Sequence, residues 1–225
     1  MKIVEQFLSI QGEAQSPGKL AYFIRLALCN LSCLYCDSKF ASLVTAKYKN
    51  IEINKLAQEI QQVSIKLETK PLIVITGGCP LLYKNEIQEL IELLPNYDFQ
   101  IETNGTISPE GLFCINGMLT FNVSPKLTSS GNPKIKAIKL DILREFLNYN
   151  AIFKFVVANQ KDWSEMEEII DKVKIPKSMI YIMAEGITDV EVKKHARILF
   201  PMIIQRGYNF SPRLQVWLFD KKRKV

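Results

Sequence analysis

Short apolar runs recur along this chain, and most are followed by a stretch of helical spacing. "AYFIRLALC" (21–29), "LIVIT" (72–76), "FQIET" (99–103), "LTFNV" (119–123), "AIFKFVV" (151–157), "MIYIM" (179–183) and "LQVWLF" (214–219) have the length and residue types of buried strands. Between them, apolar residues at helical spacing predict helices over 54–67, from Pro80 to about 94, and over about 135–148, 162–173 and 189–205. Asn54 is placed to cap the first helix, and Pro80 suits the first turn of the second. Regular strand–helix alternation restricts the fold sharply. It predicts an α/β protein with a parallel sheet covered by helices. About six such units suit an open or partial (β/α) barrel, with a doubly wound sheet as the alternative.

The polar and glycine-bearing segments fall in a pattern on this frame. "CNLSCLYCDSKF" (29–40) follows the first strand, "TGGCP" (76–80) the second, "ETNGT" (102–106) the third and "SPK" (124–126) the fourth, while "MAEG" (183–186) follows a later one. Each sits at a strand's carboxyl end, the edge that carries the active site in parallel α/β folds.

Composition excludes several classes. The 225 residues are 48% hydrophobic and 23% charged, ordinary for a globular protein. No apolar run reaches the roughly 18 residues of a membrane helix, and Glu5 and Gln6 interrupt the opening segment, so no export signal is expected. One domain over 1–225 and a cytoplasmic location follow as expectations. Five clustered cysteines do not suit a secreted disulfide framework. The net charge of +6 owes much to Lys221, Lys222, Arg223 and Lys224 in the tail 221–225. That tail reads as a solvated terminus rather than a nucleic-acid patch, because no basic stripe with interleaved aromatics occurs elsewhere. The remaining positive charge suits an anionic small substrate.

Three of the five cysteines are spaced Cys29-x3-Cys33-x2-Cys36. A structural zinc site takes four ligands, and the only histidine, His195, lies far off on an expected helix. Zinc completed by Cys79 or Cys114 is one reading; plain buried cysteines are another. A [4Fe–4S] cluster is a third: thiolates hold it, usually four. Three would leave one iron free to chelate a small molecule.

The three-cysteine spacing, with Tyr35 just before the last thiol, resembles the cluster motif of the radical S-adenosylmethionine superfamily. Within it, "FLSIQGEAQSPGKLAYFIRLALCNLSCLYCDSKF" is similar throughout to the start of the 7-carboxy-7-deazaguanine synthase family, and "ITGGCPLL", "ETNGT", "SPK" and "RLQVWLF" match its later blocks in order. The similarity runs from about residue 5 to 219. It implies a partial (β/α) barrel of radical S-adenosylmethionine type. It also implies a [4Fe–4S] cluster, S-adenosylmethionine and Mg²⁺ as cofactors, an external one-electron reductant such as flavodoxin or ferredoxin, and a homodimer. The implied reaction converts 6-carboxy-5,6,7,8-tetrahydropterin to 7-carboxy-7-deazaguanine with loss of ammonia, beginning with removal of a hydrogen atom from C6.

The resemblance also implies roles. Cys29, Cys33 and Cys36 hold the cluster, and Ser38 gives a hydroxyl to Mg²⁺. Tyr35, Cys36, Asp37 and Gly78 lie against S-adenosylmethionine, with Ser124, Pro125 and Lys126 on its adenosyl side. Ile10, Gln11, Gly12, Glu13, Arg25 and Thr76 bind the substrate. On its own chemistry Arg25, a charge within an apolar strand, needs a partner. That partner is either Glu13 or Glu102 in a structural ion pair, or a substrate carboxylate in a bidentate clamp. Ser38 alone would read as a loop or capping residue. The chain departs from the pattern at Cys79, where many radical enzymes have Glu, and at Ala14, where the family commonly has Gly. Cys114 reads as a small buried hydrophobe and His195 as surface. The rival readings are another radical enzyme, such as a glycyl-radical activase, and a zinc-stabilised nucleic-acid-binding module.

Overall fold

The computed structural model describes all 225 residues, and its strands form one nine-stranded sheet. β1 (Lys2–Ile10) runs antiparallel to β2 (Leu20–Leu26) and to the two-residue β3 (Lys49–Asn50). From β2 onward the sheet is parallel: β4 (Leu72–Gly77), β5 (Phe99–Thr103), β6 (Leu119–Val123), β7 (Ala151–Val157), β8 (Ile180–Ala184) and the short β9 (Asn209–Phe210). The strand order β3-β1-β2-β4-β5-β6-β7-β8-β9 advances in one direction after β2. That order lacks the reversal of a doubly wound sheet, so the fold is the open barrel with six full parallel strands. The helices are α1 (Lys39–Ser42), α2 (Ile53–Leu67), α3 (Lys84–Leu93), α4 (Lys134–Ala137), α5 (Leu140–Glu145), α6 (Gln160–Val173), α7 (Asp189–Arg206) and α8 (Leu214–Phe219).

The two faces of the sheet differ because successive side chains alternate. Ile24, Leu26, Ile73, Ile75, Phe99, Ile101, Phe121, Val123, Phe153, Phe155, Ile180 and Ile182 point to the helices, within a cluster of 41 buried apolar side chains. The residues between them point to the concave face. Low on that face Ala21, Phe23, Leu72 and Val74 make a small apolar floor. Above it stand Arg25, Thr76, Gln100, Glu102, Asn122 and Lys154. A polar inner face opposite an apolar outer one is what a ligand-binding lumen requires.

The loop after β1 spans the gap between the sheet's ends. The Ala14 amide donates to Ser211 Oγ (2.8 Å), and the Leu214 amide donates to the Gly12 carbonyl (3.1 Å). These bonds draw residues 11–14 against the segment before α8.

Several expectations change. β1 was not among the expected strands, since Glu5 and Gln6 break its apolar character. The run 214–219 is a helix rather than a strand; six residues, five of them apolar, carry too little periodicity to separate the two. α2 begins at Ile53 after Glu52, which puts Asn54 inside the helix, where it caps nothing. The region 135–148 is broken into α4, α5 and a 3₁₀ turn at Phe146–Asn148. Pro80 opens a 3₁₀ turn, Pro80–Tyr83, ahead of α3.

Beyond the strand ends the parallel pairing continues. Gly78 N–H bonds the Leu26 carbonyl (3.0 Å) and Cys79 N–H the Leu28 carbonyl (2.8 Å). The "TGG" loop therefore lies beside the start of the cysteine loop. A Cβ on Gly78 would meet the Leu28 carbonyl oxygen at 1.7 Å, a backbone atom that cannot swing aside. Gly78→Ala should destabilise the fold by roughly 1–3 kcal/mol, read as a lower urea midpoint of unfolding at an unchanged slope. A wild-type midpoint would mean that the two loops separate easily.

Candidate active site

The cysteine loop leaves β2 through Leu28, whose φ is +69°. Backbone bonds then pin it from both sides. Leu28 and Cys29 N–H donate to the carbonyls of Ala41 (2.8 Å) and Ser42 (3.0 Å), and Leu34 N–H donates to the Ser130 carbonyl (2.9 Å). Cys29, Cys33 and Cys36 are all half-buried and unpaired. Donors face two of the sulfurs: Leu31 N–H lies 3.4 Å from Cys29 Sγ and Asn132 Nδ2 3.2 Å from Cys33 Sγ. Burial pushes the Cys29 and Cys33 thiols up, and Lys126 pulls both down. Metal coordination would deprotonate them outright.

The donor set tests which metal group fits. No three cysteine, histidine, aspartate or glutamate side chains converge where one ion could be held. A single zinc needs that convergence. A cluster does not, because each thiolate binds its own iron. Cys79 makes a poor fourth ligand. It is fully buried and lies on the "TGG" loop, apart from the loop that carries the other three thiols. Cys114 packs, half-buried, against the helical core. Three thiols on one loop, with no fourth, fit a cluster that keeps one iron open.

Beneath this loop the lumen holds a connected set of charges. Glu13 accepts from Lys154, from Arg213 Nε (3.2 Å) and from Gln215 Nε2 (2.6 Å). Burial alone would push the Glu13 carboxyl up, but the two cations overcome it and hold the carboxyl down at about 2. Arg213 also reaches the Gly186 carbonyl and Asp37 Oδ2 (2.6 Å), so it spans from the "MAEG" loop to the cysteine loop. Glu102 accepts from Thr76 Oγ1 (2.7 Å) and Gln11 Nε2 (3.3 Å). Gln100 and Asn122, only 1% and 2% exposed, bury both atoms of each amide without a partner. Their polar capacity is unused by the fold.

Arg25 donates through Nε to Glu5 Oε1 (2.8 Å) and through Nη1 to Ser38 Oγ (3.2 Å). Its ion-pair partner is thus Glu5, neither Glu13 nor Glu102: Glu5 lies opposite it in the β1–β2 register. Ser38 precedes α1, but its side chain caps nothing. Its hydroxyl instead donates to Asp37 Oδ1 (3.0 Å). All four basic residues of the tail are exposed, as expected, and one of them, Arg223, also bonds Glu5 Oε2 (2.6 Å) and lies 3.4 Å from the Phe40 ring centre.

The remaining expected site residues fall around this centre. Lys126 Nζ donates to Ser124 Oγ (2.8 Å), beside a buried Pro125. Tyr35 is half-buried, with its hydroxyl unpartnered. In the turn 10–13, Gln11 and Glu13 bond into the lumen, whereas Ile10 is 46% exposed. His195 is half-buried rather than surface, its Nδ1 2.6 Å from the Glu185 carbonyl. Sequence reasoning assigned no site role to Glu5, Asn132, Lys154, Arg213 or Arg223, and gave Glu102 only as an alternative ion-pair partner for Arg25. Lys154 carries the signal that marked Arg25, a charge inside an apolar strand, "AIFKFVV". Nothing in the sequence marks Asn132.

Comparison with known proteins agrees with this geometry. Residues 24–199 match the model of the radical SAM superfamily. A 7-carboxy-7-deazaguanine synthase from Hyperthermus butylicus is 34% identical over 96% of this chain and 92% of its own length. One from Clostridium acetobutylicum is 35% identical over 80% of each. The crystal structure of QueE from Escherichia coli superposes with a TM-score of 0.67 over 93% of this chain and 92% of that one, at 24% identity, a likeness of fold. The chain belongs to the radical SAM superfamily and, within it, to the 7-carboxy-7-deazaguanine synthase family.

Proposed function

We propose that this single-domain chain is a 7-carboxy-7-deazaguanine synthase. It converts 6-carboxy-5,6,7,8-tetrahydropterin to 7-carboxy-7-deazaguanine, with ammonia as the second product, in the formation of 7-deazaguanine nucleosides. The observation that carries the reading is the physical link between the cysteine loop and the lumen. Asp37 and Ser38, just past Cys36, bond Arg213 and Arg25, which are themselves paired with Glu13 and Glu5.

Cys29, Cys33 and Cys36 would hold the cluster, and the open iron would take S-adenosylmethionine. Bound there, the pair supplies a 5′-deoxyadenosyl radical that takes a hydrogen atom from the substrate. Tyr35, Cys36 and Asp37 would lie against the cofactor through backbone contacts, Gly78 would bound its methionyl side, and Ser124, Pro125 and Lys126 its adenosyl side. Cys79 cannot accept from an amine as a carboxylate would, which leaves backbone carbonyls of the "TGG" loop to hold the amino group.

The chain's other contributions are positioning and exclusion of water. Arg25 would clamp the substrate carboxylate, because Glu5 engages only Nε and Ser38 Nη1, which leaves Nη2 free. Gln11, Glu13 and Thr76 would read the heterocycle, together with the backbone of Ile10 and Gly12. Ionised Glu13 accepts from an amide or amino edge. Ser38 and Asp37 would offer oxygens to Mg²⁺, which keeps its other ligands from water and substrate. An external one-electron reductant, a homodimer and a cytoplasmic setting that keeps the thiols reduced complete the proposal. No helix is long and apolar enough to cross a membrane.

Anaerobic reconstitution followed by reduction with S-adenosylmethionine, Mg²⁺ and 6-carboxytetrahydropterin tests the reading. About four irons per chain and formation of 7-carboxy-7-deazaguanine are expected. Cys33→Ala should abolish both, and zinc in place of iron would sink the proposal. Arg25→Met should lower kcat/KM by roughly 10²-fold, on the order of 3 kcal/mol, with most of the loss in KM. Equal turnover by the variant would assign Arg25 to the fold alone. The Glu13 carboxyl should titrate near pH 2 by carbon NMR. Because its folded value is depressed, the pairing stabilises fully above about pH 4 and is lost as pH falls toward 2. Lys154→Met should move that titration upward; an unmoved titration would mean that Arg213 alone holds the charge.

A further inference from the structure

Asn132 is not among the residues proposed above to bind substrate or S-adenosylmethionine, yet its side chain lies on the cysteine loop from 99 residues away. We propose that Asn132 is a positioning residue for the cluster: its amide N–H donates to the Cys33 sulfur and raises the cluster's reduction potential. The inference rests on Cys33 being a cluster ligand.

The amide's orientation is fixed by its neighbours. Its Oδ1 accepts the Ser32 backbone N–H at 2.9 Å, and that partner can only donate. The Nδ2 end must therefore face the other way, where it meets Cys33 Sγ at 3.2 Å and Ser130 Oγ at 3.1 Å. Three bonds thus hold one carboxamide. The supporting segment is equally fixed: Ser130 accepts Leu34 N–H, and Gly131, at φ +77°, lets the chain pass against Leu34. A Cβ on Gly131 would stand 2.7 Å from two Leu34 side-chain carbons.

The three sulfurs are not treated alike. Cys33 receives the one close side-chain donor. Cys29 has the Leu31 amide at 3.4 Å and a distant Asn104 contact at 3.9 Å, and Cys36 has only the Ser42 hydroxyl at 3.9 Å. A donor to a ligating sulfur stabilises negative charge there. The reduced cluster carries one more electron, so the bond favours the reduced form and raises the potential.

The test uses anaerobically reconstituted full-length protein, without substrate. Asn132→Leu keeps the size and removes all three bonds. Asn132→Asp keeps the acceptor for Ser32 N–H and removes only the donor. Iron and sulfide content is measured first, then the midpoint potential by an EPR-monitored redox titration. Full iron content in both variants is expected. The reduction equilibrium should weaken about tenfold in Asn132→Leu, 59 mV for a one-electron couple, and further in Asn132→Asp, which adds a negative charge. A wild-type potential in either loaded variant overturns the proposal and leaves Asn132 as a loop tether. Failure of both variants to take up iron while folded also overturns it, since Asn132 would then build the site. A wild-type protein without iron is a different result, and refutes the cluster reading itself.

Discussion

Glu13 holds the lumen together. Its carboxylate sits between Lys154 on β7 and Arg213 before α8, and both cations are buried with it. Buried charges of this kind contribute little net stability as a group, because desolvation opposes their attraction. Losing one partner is another matter, since the others would be left charged and unpaired. The trio therefore works as a constraint on shape: it requires the loop after β1 to cross to the far side of the open sheet. The neighbouring backbone bonds, Ala14 to Ser211 and Leu214 to Gly12, follow from that crossing.

The same sheet serves two purposes because of its period of two. On the helical side, branched and aromatic residues bury a continuous core, and rigidity there fixes where each strand ends. On the lumen side, the same strands place Arg25, Thr76, Glu102, Asn122 and Lys154 within one polar cavity. The cysteine loop adds no regular structure beyond α1. Its order comes from contacts at and beyond its ends: Ala41 and Ser42 just past it, and Ser130 and Asn132 far along the chain, bond its backbone, and Arg213 holds Asp37.

The fold's frame was legible because alternation of strand and helix is a property of local sequence. So was the cysteine loop, whose spacing is local too. The errors fall where local pattern is weak or where the deciding contact is distant. LQVWLF is apolar on nearly every side, so its choice of helix over strand depended on packing against the end of the sheet. β1 hid behind Glu5, a buried charge that makes sense only once Arg25 and Arg223 are seen beside it. Lys154 offered the same signal as Arg25 and was passed over. Asn132 offered none, because a single Asn in a loop says nothing until its partner, 99 residues away, is known.

The tail illustrates how charge count can mislead. Four basic residues near the end suggest a solvated or nucleic-acid-binding terminus, yet Arg223 stacks on Phe40 and shares Glu5 with Arg25. Burial would raise the Glu5 carboxyl, and the two arginines hold it below its usual range. One carboxylate between two guanidiniums cannot neutralise both. At Arg25, beside Ser38, two guanidiniums share one carboxylate, and an incoming carboxylate would complete the balance. Arg223 thus takes up part of Glu5's charge and leaves Arg25 more strongly cationic toward the lumen, so a residue outside the site tunes the group proposed to receive the substrate.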